Sequence, residues 1–127
     1  MREKQLYEYA VIRLVPRVER EEFINVGVVL YCPSQKFLQS LIELDEERLK
    51  TFANSVDVGE VRQNLSVFQK ICEGGENAGV IGMLPVSARF HWLTATRSTI
   101  IQTSKVHLGF CDDSKAALSR LMEQLVS

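Results

Sequence analysis

The sequence predicts an α+β domain in which an antiparallel sheet starts with an N-terminal hairpin and has helices packed on one face. Two observations lead to this prediction. Strand-forming runs occupy most of residues 6–44, and helical periodicity predominates from Asp45 onward. When strands are grouped before helices, the helices cover a face of the sheet. The 127 residues are a usual length for one domain, so we expect residues 1–127 to fold as a single domain.

The first two strands are predicted from composition. Residues 6–15, LYEYAVIRLV, are rich in the Tyr, Val, Ile and Leu that favour a strand, and residues 23–32 are similar. The intervening PRVEREE predicts a turn, because charges of alternating sign suit a solvated connection. A connection this short predicts that the two strands pair as an antiparallel hairpin.

The second strand contains two residues that strands disfavour, Asn25 and Gly27. If the strand is regular, Ile24, Val26, Val28 and Leu30 form an aliphatic core face, and Asn25 and Gly27 lie on the opposite face. A glycine in mid-strand marks a bulge or the close approach of another group.

Arg13 on the first strand is predicted to lie across from the face that carries Asn25. A guanidinium there needs an amide oxygen, a carboxylate or a bound anion as its partner. The alternatives are a structural pair of Arg13 with Asn25, a salt bridge of Arg13 with Glu22, or a ligand site.

The middle of the chain changes from strand to helix. Residues 36–44, KFLQSLIEL, predict a third strand. Asp45 is a plausible N-cap for a helix whose apolar residues recur at helical spacing, and Asp57 with Glu60 predicts the start of a second helix. The apolar positions of the first of these helices are Leu49, Phe52, Ala53 and Val56. Gly74 and Gly75 end the second, and the following EGGENAGVIG lacks the lysine and the preceding strand of a phosphate loop.

The last third is less uniform. PVSARFHWLTAT, residues 85–96, fits a helix or a strand, and STIIQTSKVHLGF, residues 98–110, predicts an interrupted strand. Asp112, Asp113 and Ser114 are cap candidates for a final helix. The apolar face of that helix consists of Leu118, Leu121, Met122 and Leu125.

Composition excludes several functional classes. A net charge of −1 and a pI near 6.1 provide no positive field, which argues against nucleic-acid binding. Three widely spaced cysteines, an odd number with no C-x-x-C pair, argue against a disulfide framework and a zinc site. No metal or cofactor is therefore expected. The charged first residues and the absence of a long apolar run predict a cytoplasmic protein with no membrane association.

Polar side chains are concentrated between Arg97 and His107. Arg97 with Ser98 could bind a phosphate or carboxylate, and His107 is a better candidate for chemistry than His91, which aromatic residues flank. Covalent catalysis would need Cys111 or Ser104 beside His107. A plain edge strand or polar loop is the competing interpretation.

Two motifs, YAVIRLVPRVEREEFINVGVVLY and WLTATRSTIIQTSKVHLGF, resemble a bacterial family, domain of unknown function 3037, over residues 9–126. The chain departs from the family pattern at TATRST, where a proline is expected before the arginine. The resemblance implies no established activity. It does imply a HipA-like kinase as partner, and hence a small regulatory subunit.

These observations lead to one functional hypothesis and one alternative. The hypothesis is a small interaction or regulatory domain with an anion-binding site. The residues assigned to that site are Arg13, Glu22, Asn25, Arg97, Ser98 and His107. The alternative is a ligand-binding or hydrolytic enzyme that uses Arg97 and His107. An interaction domain requires an exposed apolar patch or an open sheet edge, whereas an enzyme requires the two polar motifs to converge in one pocket.

Overall fold

The computed structural model describes residues 4–16, 22–52, 56–95 and 99–126. The strands are β1 (Gln5–Leu14), β2 (Ile24–Cys32), β3 (Phe37–Ile42), β4 (Ile101–Thr103) and β5 (His107–Cys111). The helices are α1 (Glu46–Phe52), α2 (Val58–Glu73), α3 (Gly79–Gly82), α4 (Val86–Thr94) and α5 (Ser114–Leu125). Ala53, an expected helical position, lies outside the described residues.

The strands form one antiparallel sheet in which β1 is central. Its partners on one side are β2 and then β3, and on the other side β4 and β5 pair with successive parts of β1. The predicted α+β class and the N-terminal hairpin are confirmed. The interrupted strand predicted over residues 98–110 corresponds to β4 and β5.

The β1–β2 pair contains a bulge that regular alternation does not predict. Ile12 pairs with Gly27 and the next residue, Arg13, pairs with Asn25, so Val26 is an extra residue in β2. A bulge changes which face the following side chains occupy. The expectation that β2 is regular, with Val26 and Val28 on the same face, was therefore wrong.

Both faces of the sheet are buried. Val26, Val29 and Tyr31 of β2 pack in the cluster that includes residues of α1, α2 and α4. Val28 and Leu30 pack in a second cluster, with α5. The expected packing on one face thus holds for α1, α2 and α4, whereas α5 covers the other face, because β2 is apolar on both sides.

The helix caps agree with the sequence. The Asp57 carboxylate accepts hydrogen bonds from the backbone N–H groups of Gly59 and Glu60, and the Asp113 carboxylate accepts one from Lys115. Each cap satisfies N–H groups that a first helical turn leaves unpaired. Residues 86–94, within the segment that fitted either a helix or a strand, form α4.

Gly27 is required by the close approach of β3. A Cβ at this position would overlap with the backbone carbonyl oxygen of Leu41 and would lie 3.1 Å from the Ile42 side chain. The expected close approach at Gly27 is confirmed, and the approaching group is the neighbouring strand.

We predict that Gly27→Ala lowers the free energy of unfolding by more than about 1 kcal/mol, because the added methyl must displace backbone atoms of β3. Chemical denaturation monitored by circular dichroism measures the change. Strand propensity alone predicts the opposite sign.

Gly59→Ala is the matched control. Gly59 is exposed in the first turn of α2, where alanine is the better helix former, so we expect a small gain in stability. Equal effects of the two substitutions would contradict the steric role of Gly27.

Candidate functional site

Arg13 and Asn25 lie opposite each other at the β1–β2 bulge. Asn25 Nδ2 donates a hydrogen bond to the carbonyl oxygen of Leu125, at 3.2 Å. The Arg13 guanidinium lies over the Phe23 ring, 4.1 Å from its centroid. Among the described residues, Arg13 Nε and Asn25 Oδ1 are buried and have no hydrogen-bond partner. The two side chains are therefore neighbours, as predicted, but they are not joined by the hydrogen bond considered for them.

This polar pair lies at the carboxyl end of α5, whose last helical residue is Leu125. The last carbonyls of a helix have no partner within it and carry a partial negative charge. Asn25 satisfies one of these carbonyls, and Arg13 lies opposite Asn25 on β1, over the Phe23 ring. The arrangement accounts for Asn25 as a support of α5 without any ligand.

Of the remaining predicted site residues, the structure describes Glu22 and His107. Glu22 is exposed and precedes β2. His107 is exposed and lies opposite Tyr9, with the ring centroids 5.3 Å apart. Tyr9 and Arg13 are four residues apart on β1, which is about 13 Å in an extended strand. Arg97 and Ser98 lie outside the described residues, so their part in a common site stays a prediction.

The two sequence motifs do meet along β1, through backbone pairing. Gln102 of β4 lies opposite Arg13, and β4 ends one residue before Ser104. The Ser104 hydroxyl accepts a hydrogen bond from the backbone N–H of Val11 at 2.9 Å. The Ser104 N–H donates to the Val11 carbonyl, also at 2.9 Å. Ser104 therefore continues the pairing of β1 across the gap between β4 and β5.

The hydrolytic alternative gains no support from this geometry. The Ser104 hydroxyl is already engaged with the backbone, because it also donates to the Lys105 carbonyl. Burial raises the pKa of the Cys111 thiol, with Asp112 and Asp113 adding to the effect and the Ser114 hydroxyl opposing it. A thiol held in its neutral form is a weak nucleophile. Neither residue is activated by His107 in the observed arrangement.

Sequence reasoning missed the exposed apolar side chains of β5. Leu108 and Phe110 are each 64% exposed, and Leu6, which pairs with Phe110, is 45% exposed. Within the described part of the chain, β5 pairs with β1 alone, so its other edge is open. The alternation of Leu108 and Phe110 with His107 and Gly109 was a signal for a two-sided strand. Its exposure could not be predicted, because it depends on where the helices lie.

Gly109 keeps β5 close to β1. A Cβ at this position would overlap with the ring of Tyr7, which lies opposite in the sheet and is buried. The Tyr7 hydroxyl in turn accepts a hydrogen bond from Arg120 Nη2 of α5, at 3.4 Å. The α5 face of the sheet is thus closed at Gly109, whereas the face with Leu6, Leu108 and Phe110 is open.

Within the described ranges, no three His, Cys, Asp or Glu side chains form a group that could hold a metal ion. The helices that the structure describes include none with the length and apolarity needed to cross a bilayer.

Comparison with known proteins identifies one match. A family profile described as "Protein of unknown function (DUF3037)" matches residues 9–126, which confirms the resemblance expected from the two motifs. Neither the curated proteins nor the solved structures that were searched contain a match.

We predict that Asn25→Ala lowers the free energy of unfolding by about 1 kcal/mol, the usual contribution of one such hydrogen bond. The reason is the loss of the bond to the Leu125 carbonyl. Thermal and chemical denaturation measure the effect. The control is Asn64→Ala on the exposed side of α2, where we expect stability to be unchanged or slightly higher. If Asn25→Ala leaves stability unchanged, the structural role is wrong and a ligand role is favoured.

Proposed function

The chain belongs to the DUF3037 family, and from that premise we propose that it is a protein-interaction domain that pairs through the outer edge of β5 with a second copy of itself. The observation that carries this proposal is the open edge of β5, beside the exposed side chains of Leu6, Leu108 and Phe110. An interaction domain needs an open sheet edge or an exposed apolar patch, and β5 has both features.

The composition of β5 supports its use as a docking edge. Proteins protect exposed edge strands with lysine, proline, bulges or covering segments, because unpaired backbone groups attract other strands. The strand HLGFC contains no lysine, proline or carboxylate. Its two large apolar side chains are mostly in water, and complete burial of such a side chain stabilises by about 1.5–3 kcal/mol. Pairing would satisfy the open backbone groups and bury these side chains together.

The choice of a second copy rests on the self-complementarity of the segment. In an antiparallel pair centred on Gly109, Leu108 of one chain lies opposite Phe110 of the other. In the same register, Lys105 before the strand lies opposite Asp113 after it, so each end of the pair joins opposite charges. Such an interface uses the same patch on both chains, which is the requirement of two-fold symmetry.

Other partners and functions have less support. The HipA-like kinase implied by the family resemblance remains a prediction, and its binding would compete for the same edge or use another surface. Anion binding at the site predicted from the sequence also remains a prediction, and its residues are Arg13, Glu22, Asn25, Arg97, Ser98 and His107. The near-zero net charge still argues against nucleic-acid binding.

We predict that the wild-type chain is a dimer at high concentration and that Leu108→Lys or Phe110→Lys makes it monomeric. Both side chains are 64% exposed, so the fold should survive the substitutions. Sedimentation velocity and light scattering over a concentration series measure the association. Lys105→Glu should weaken the dimer to a smaller extent, because it opposes like charges at the two ends.

The control is Val80→Lys on α3, a side chain that is 83% exposed and away from β5. We expect this variant to dimerise like the wild type. A wild-type chain that stays monomeric throughout the series, or a dimer that Leu108→Lys does not weaken, would show that self-pairing through β5 is wrong.

A further inference from the structure

A buried arginine lies against the carboxyl end of α2. Arg89 is 8% exposed and lies on the buried face of α4, one turn after Val86 and next to Phe90. Its Nη1 donates to the carbonyl oxygens of Ile71 and Cys72, at 2.8 and 2.7 Å. Its Nε donates to the carbonyl of Leu84, at 3.1 Å. Nε and Nη1 of Arg89 thus both bind backbone carbonyls. The guanidinium charge lies at the carboxyl end of α2, where the helix dipole favours a cation.

The third nitrogen of Arg89 has no such partner. Among the described residues, no hydrogen bond is made by Nη2, and Arg89 lines a cleft of about 610 Å³. The cleft lies between β3, the last turns of α2 and the start of α4. This volume is in the range of small-molecule sites.

Lys36 brings a second positive charge to the cleft. Its backbone is left-handed, with φ of 51°, and its N–H donates to the Pro33 carbonyl at 3.1 Å. This left-handed residue ends the short 3-10 turn that links β2 and β3. Glu73 is the single carboxylate among the lining residues, against the two cations Lys36 and Arg89.

The neutral groups of the cleft include further donors. The Ser40 hydroxyl is buried beside the Cys72 thiol. Burial raises the pKa of the Cys72 thiol to about 11, and the neighbouring Ser40 hydroxyl and Arg89 charge offset only part of this effect. Cys72 is therefore a neutral thiol at physiological pH and adds no negative charge. Gln39 and Gln69 contribute amide groups.

From this arrangement we infer that the cleft between β3, α2 and α4 binds the oxyanion group, carboxylate or phosphate, of a small molecule. Arg89 Nη2 and Lys36 provide the positive charge. Leu38 and Val86 offer apolar surface to the rest of the ligand. This site is separate from the β5 edge and from the anion site predicted at Arg13.

Inorganic phosphate and acetate, titrated separately and followed by backbone amide NMR shifts, test the inference. We expect saturable shifts at residues 36–40 and near Arg89 with at least one anion. Sodium chloride at equal ionic strength should not produce them. A response to phosphate alone, or to acetate alone, identifies which oxyanion the cleft prefers.

The informative variant is Lys36→Gly. Glycine relieves the left-handed strain, so the fold should be retained, but the loss of the charge should weaken anion binding about tenfold. The control is Lys115→Ala, an exposed lysine on α5, for which we expect unchanged binding. Absence of saturable shifts with both anions, or equal weakening by the two variants, would overturn the inference.

Discussion

The bulge at Val26 determines which side chains of the hairpin face which layer of helices. Without the extra residue, regular alternation would place Asn25 on the same face as Val29 and Tyr31, which pack towards α1, α2 and α4. With it, Asn25 lies on the α5 face and reaches the Leu125 carbonyl. The position of α5 and the environment of Arg13 both depend on this one irregularity.

The two partly or fully buried arginines differ in what their guanidinium groups contact. Arg89 binds the last carbonyls of α2 directly, through a guanidinium that is itself nearly buried. Arg13 lies beside Asn25, and the asparagine makes the contact with α5. The Arg89 cation lies at the carboxyl end of α2, where it is electrostatically favoured. Only Arg89 also lines a cleft large enough for a small molecule.

Local sequence signals predicted the features that depend on neighbouring residues. The hairpin, the caps at Asp57 and Asp113 and the close approach at Gly27 follow from propensity, capping chemistry and the absence of a Cβ. Gly27 indicated a bulge or a close approach, and the structure has both, with the extra residue at Val26. The faces of β2 were assigned wrongly because an unbroken period of two puts Val26 and Val28 on the same side. The sequence did not predict that the Ser104 hydroxyl accepts a hydrogen bond from the Val11 N–H. The hydroxyl takes the place of a backbone carbonyl there, and only the folded sheet shows that this place is vacant. Arg89 lies among the apolar residues of α4, a position that indicates a buried arginine once residues 86–94 are known to be helical.

The open edge of β5 also has a consequence for how the protein responds to its own abundance. An edge occupied by a second copy cannot pair with a third polypeptide at the same time. By mass action, a low concentration leaves the edge free for any other strand, whereas a high concentration fills it with the chain itself. Competition between self-association and a heterologous partner would then make occupancy of this edge a measure of how much of the protein is present.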